Sequence, residues 1–98
     1  ERVEPVDVVV RDEYRGAGYG KPGPAEWEAI ELFARLEGIV LDPVYSGRAA
    51  AGMLDLVRSG FFKRGETVLF WHTGGQPALF ADAYRRDKLS AGSGARLD

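Results

Sequence analysis

Two tyrosines set in glycine-loosened backbone carry the clearest chemical potential in this sequence. Tyr19 stands in "GAGYGKPGP" (16–24) and Tyr45 in "DPVYSGRA" (42–49), with Thr73 of "HTGG" as a third candidate. A phenol has an unperturbed pKa near 10, so at neutral pH it serves as a base only beside a positive neighbour or after tuned desolvation. A cationic cofactor or a substrate ammonium supplies such a neighbour. By residue type alone, a loop tyrosine is a packing residue with one wet edge. A "TGG" after a strand is by itself a tight turn, His72 reads as structural, and Arg85-Arg86 reads as a solvated helix face.

The elements that position these residues follow from periodicity. "VDVVV" (6–10) is apolar and β-branched and predicts a strand. Residues 11–24 hold four glycines and two prolines, which predicts a loop. Pro24 suits a first helical turn. Ala29, Leu32, Phe33 and Leu36, widened by Ile30, give a helical stripe through Glu37, and Gly38 is placed to end it. "IVLD" (39–42) predicts a short strand or an extended approach to the next loop. Ser46 is a candidate N-cap for a second helix to Arg58, with Ala50, Met53, Leu54 and Val57 on its stripe. "TVLFW" (67–71) predicts a buried strand, and a third helix starts near Pro77. Three strands alternating with three helices predict an α/β fold with a small parallel sheet. Loops 11–24, 42–47 and 72–76 would then gather at the carboxyl ends of the strands, where such sheets bind ligands. The tail from about residue 89 is polar and glycine-rich, a composition that frays.

Composition bounds the function. Ninety-eight residues make one small domain or a piece of a larger one. Such a chain buries only about 60–65% of its unfolded surface, so another segment is expected to cover the sheet edges. A net charge of −2 offers no footprint for nucleic acid or an anionic membrane. No cysteine and a single histidine leave no disulfide, no thiolate metal site and no all-histidine zinc site, so no metal is expected. No apolar run reaches the roughly 18 residues of a membrane span, and a cytoplasmic location is expected. The chain opens Glu1-Arg2-Val3 without methionine, which predicts that it was cut from, or is numbered within, a longer product.

The order "GYG…LEGI.LDPVY.G…G…G.F..G..VLF.HTGG.PALF", running from about Val6 to Phe80, resembles the C-terminal part of a known enzyme family. That family comprises D-cysteine desulfhydrase and 1-aminocyclopropane-1-carboxylate deaminase, pyridoxal-phosphate enzymes with a tryptophan synthase β-like fold (fold type II). The resemblance implies catalytic roles for Tyr45, which takes a substrate proton or attacks the ring carbon, and for Tyr19, its partner beside substrate and cofactor. It also implies cofactor contacts for Thr73, which hydrogen-bonds the pyridine nitrogen, and for Ser46 and Gly74. The cyclopropane deaminases carry a glutamate where Ser46 stands and lack the threonine of "HTGG". A carboxylate keeps the ring nitrogen protonated and the cofactor a strong electron sink, whereas a hydroxyl leaves it weaker. Loss of hydrosulfide tolerates the weaker sink better than opening a cyclopropane does. The resemblance thus favours conversion of D-cysteine to pyruvate, hydrogen sulfide and ammonia.

The family's Schiff-base lysine, its carboxylate-gripping Ser-Asn and its phosphate-binding glycine loop precede the matched segment. Lys21, Lys63 and Lys88 do not stand in the lysine's motif. This chain alone is therefore expected to be inactive and to need an N-terminal part, in the same or a separate chain, with a small amino acid as substrate and a homo-oligomer as the full enzyme. Arg48 stands where the family commonly has lysine. Two alternatives remain at this point: a cyclopropane-carboxylate deaminase or sulfonate-eliminating lyase on the same scaffold, and a non-catalytic interaction domain that pairs through its open sheet.

Overall fold

The computed structural model describes residues 1–84, and its regular structure is helical. Helix α1 spans Pro24–Glu37 and α2 spans Ser46–Arg58; short 3-10 turns occupy Pro5–Asp7, Gln76–Phe80 and Asp82–Tyr84. Both α-helices follow the sequence periodicity to within a residue or two. Pro24 takes the first turn of α1, and the Glu26 carboxylate accepts the N–H of the N-cap Gly23 at 2.5 Å. The helix ends at Gly38, whose left-handed φ of +66° lets its own N–H reach Ala34 O (3.1 Å) and that of Ile39 reach Phe33 O (3.2 Å). This is the two-bond glycine terminator that satisfies otherwise orphaned carbonyls.

The α/β architecture is not what forms. No strand exists among the described residues, so the small parallel sheet, its tryptophan synthase β-like context and the segments 6–10, 39–42 and 67–71 as strands are all corrected. The physical reason lies in pairing. A strand is stable only when its backbone donors and acceptors meet a neighbour's. Val8, Val9 and Val10 are all exposed, and Pro5–Asp7 closes into a turn instead. Val40 gives its carbonyl to the His72 ring (2.8 Å) rather than to a ladder. Leu69 and Trp71 are also exposed, although two-sided burial was expected of them. The third helix expected near Pro77 is replaced by two 3-10 turns up to Tyr84; its continuation, Arg85-Arg86 and the tail from 89 lie outside the described residues.

The helices pack directly on each other through small residues. Ala29 of α1 and Ala50 and Ala51 of α2 form the buried core with Leu41, and Ile30, Phe33, Leu54 and Phe70 pack around it. Phe33 and Phe70 meet with ring centroids 5.4 Å apart. Outside the core, Arg58 grips both carboxylate oxygens of Glu28 (2.9 and 3.3 Å), tying the far ends of the helices. Leu36 and Val57, expected on the apolar stripes, are instead exposed. Among the described residues no helix is long and apolar enough to cross a membrane.

Gly47, in the first turn of α2, is a point of closest approach. A Cβ there would overlap the Asp42 carbonyl and sit 3.1–3.2 Å from the end of Ile30. Backbone cannot yield as a flexible side chain does. Gly47→Ala is therefore expected to lower the unfolding free energy by about 1–3 kcal/mol, read from urea denaturation; an unchanged midpoint would contradict this close approach.

Candidate functional site

The loop 42–47 is organised by one carboxylate. Asp42 is fully buried, and its oxygens accept the N–H groups of Val44 (2.7 Å), Tyr45 (2.7 Å) and Ser46 (2.8 Å). The Ser46 hydroxyl donates to Asp42 at 2.6 Å and accepts the Asp42 N–H at 2.9 Å. Of these donors the Ser46 N–H belongs to the first turn of α2, whose N-cap position is Tyr45 rather than Ser46, and Asp42 ties the preceding turn to it. Burial pushes the Asp42 carboxyl pKa up, but hydrogen bonds from the Ser46 hydroxyl and the three backbone N–H groups outweigh it and hold it below the ordinary value.

Tyr45 follows directly and stands half exposed at the start of α2. Its hydroxyl hydrogen-bonds that of Tyr19, across 26 residues of sequence, and the two rings meet edge-on with centroids 6.0 Å apart. Arg48 holds the Tyr19 loop in place. Its Nη1 donates to Gly18 O (3.0 Å) and its Nη2 to Lys21 O (2.9 Å), while Glu26 lies 3.6 Å from the same guanidinium. A forked, planar cation can take two carbonyls in fixed geometry, which the point charge of a lysine cannot. Tyr84 secures the loop from the other side by donating to Gly20 O at 2.8 Å.

Thr73 is exposed, on a turn whose Gly75 packs against the same carboxylate. Gly74 N–H donates to His72 Nδ1 (2.9 Å), so the neutral ring carries its proton on Nε2 and donates to Val40 O (2.8 Å). Gly75 has φ +97°, and a Cβ on it would run into the Asp42 carboxylate, 2.7 Å from Cγ. The turn of Thr73 and the turn of Tyr45 are thus in contact through Asp42.

The expected site residues separate on this geometry. Tyr19 and Tyr45 touch directly, and Thr73 lies on an adjoining turn. Ser46 is buried with its hydroxyl committed to Asp42 in both directions, and Gly74 spends its N–H on His72. Two residues escaped the sequence reading. Asp42 had a legible signal, since an Asp-Pro pair ahead of a helical stripe favours a turn. Tyr84 had none, because its bond to Gly20 spans 64 residues.

The Tyr45 hydroxyl is pushed up in pKa, first by its hydrogen bond with Tyr19, then by the Tyr19 charge, burial, Asp42 and Tyr84. Every one of these contributions favours the neutral phenol. The Tyr45 phenol is therefore held in its proton-donating form at neutral pH. A cavity of about 670 Å³ opens beside it, lined by Tyr45 and Arg48 among largely apolar neighbours such as Met53, Leu56 and Phe70. The Tyr45 phenol thus faces a mostly apolar cavity, whose lining does not include the turn of Thr73. A search of known protein families finds no family model that matches the chain.

Because the Asp42 pKa is lowered on folding, its stabilisation is present above the unfolded value of about 3.9 and is lost as pH falls through the folded value. Urea midpoints are expected to drop on acidification through that window more steeply in the wild type than in Asp42→Asn. At pH 7 the substitution is expected to cost about 1–3 kcal/mol, the cost of leaving buried donors unsatisfied. Tyr84→Phe is expected to cost about 1 kcal/mol through its lost bond to Gly20 and to let the Tyr45 phenol titrate at lower pH, read by ultraviolet titration of the phenolate band.

Proposed function

We propose that this chain forms the phenol-bearing part of a pyridoxal-phosphate-dependent lyase that eliminates hydrosulfide from D-cysteine. The observation that carries the reading is the hydroxyl-to-hydroxyl bond of Tyr19 and Tyr45, joined from two glycine-bearing loops. The sequence resemblance had singled out these same two residues, and the reading draws on that resemblance without the parallel-sheet fold. Bound here, the cofactor would supply an electron sink for charge developing at the substrate's α-carbon.

The chain's own residues would then do three things. Tyr45 exchanges a proton with the substrate, and Tyr19 orients the Tyr45 hydroxyl and shares that proton. A positive ring or a substrate ammonium lowers the raised phenol pKa, which makes proton removal possible only once the ligand is bound. Thr73 offers its hydroxyl to the pyridine nitrogen. Ser46 acts indirectly here, because its hydroxyl holds Asp42 and Asp42 holds the backbone of Tyr45. The lysine that anchors the cofactor comes from another segment.

The test is an assay of the assembled enzyme, following hydrogen sulfide from D-cysteine beside ammonia from 1-aminocyclopropane-1-carboxylate. Hydrogen sulfide release that falls about 10²–10⁴-fold in Tyr45→Phe, the range expected for a lost general acid–base group, supports the reading. Ammonia release from the cyclopropane acid instead, or full activity in Tyr45→Phe, counts against it.

A further inference from the structure

A second cleft, of about 540 Å³, adjoins the phenol pair and is lined by Arg15, Gly16, Ala17, Gly18, Tyr19 and Arg48. Arg15 and Arg48 line it, and among the described residues no Asp or Glu does. The charge of Arg48 is offset by Glu26, 3.6 Å away, but its Nε is buried with no acceptor. Arg15 is exposed, and its side chain makes no hydrogen bond or ion pair among the described residues. The cleft is therefore lined by one arginine, Arg15, whose charge no described residue offsets.

The backbone adds to this. Gly16 and Gly18 have φ of +59° and +125°, alternating with ordinary residues. Positive φ at these glycines turns the loop sharply. The N–H groups of Ala17 and Tyr19 donate to nothing among the described residues, whereas that of Gly18 closes a turn onto Arg15 O at 3.2 Å. Arg48 and Arg15 also line the larger cavity that contains Tyr45, so an anion held here would lie next to the phenols.

We propose that this cleft is a binding site for a small oxyanion, a carboxylate or a phosphate group, held by Arg15 and the free N–H groups of Ala17 and Tyr19. The site stands independently of the lyase reading, since it needs neither the cofactor nor turnover. A bidentate guanidinium suits either anion. Its two sources are the carboxylate end of an organic ligand and free inorganic phosphate.

The experiment is a titration of the isotopically labelled protein with sodium phosphate and, separately, with sodium acetate, at fixed ionic strength and without cofactor. The amide signals of Ala17 and Tyr19 are followed. Saturable shifts at these amides, weakened about tenfold or more in Arg15→Gln, are expected from loss of a charge-assisted bond. Saturation by acetate in preference to phosphate identifies the carboxylate end of an organic ligand as the occupant, and the reverse order identifies free phosphate. Lys63→Gln, which removes a cation elsewhere, should leave the affinity unchanged. Absence of saturation by both anions overturns the proposal, and so does equal weakening in the two variants, which would mean general surface charge. Because the titration involves no catalysis, its failure leaves the lyase assay standing, and the converse holds too.

Discussion

A buried carboxylate with no cation beside it among the described residues is the constraint around which this molecule is arranged. Taking an ion out of water costs several kcal/mol unless donors replace the lost hydration. Asp42 meets that condition with three backbone N–H groups and one hydroxyl, all from the four residues after it. To supply those donors the chain must turn at once, and that turn starts α2. The fully buried Pro43 suits the first position of the turn because it has no N–H to satisfy. Gly47 leaves room for the Asp42 carbonyl and for Ile30 of α1, and Gly75 leaves room for the carboxylate itself. The acid, proline, serine and glycine of "DPVYSG" thus serve one local structure, and Tyr45 is the residue that it presents outward.

A second polar centre holds what the first one presents. Arg48 lies three residues beyond Tyr45 and reaches across to two carbonyls of the Tyr19 loop. One helix start therefore governs both phenols, the first through its backbone and the second through a side chain one turn along. The apolar core contributes little to this arrangement, being four buried residues of which three are alanine. Tertiary order near the phenols comes from hydrogen bonds between loops, which are directional, and less from packing. Those bonds are exposed or half-buried, so each contributes only about 0.5–1.5 kcal/mol, and it is their number that fixes the loop.

How much was legible depended on how local the physics was. The helices α1 and α2 could be read because apolar spacing, Pro24 and Gly38 act within a few residues of themselves. The strands could not be read safely from the same kind of signal. A run such as "VDVVV" states only that a segment would fit a sheet, and a sheet also requires a partner backbone. Among the described residues no such partner is in place. Val8 to Val10 stay exposed, and the 39–42 segment spends a carbonyl on His72 instead.

The candidate site divides along the same line. The sequence by itself determined the two helices, the glycine-bearing loops and the residue types that could move a proton, because conformational preference and acidity belong to individual residues and their near neighbours. Tertiary structure alone decided that Tyr19 meets Tyr45, that Ser46 turns inward, that Tyr84 clasps Gly20, and that Arg15 and Arg48 line one cleft. Each of these joins groups that lie far apart in the chain or depends on which side of a turn faces the interior. Contacts of that kind are fixed only when a buried charge has found all its donors.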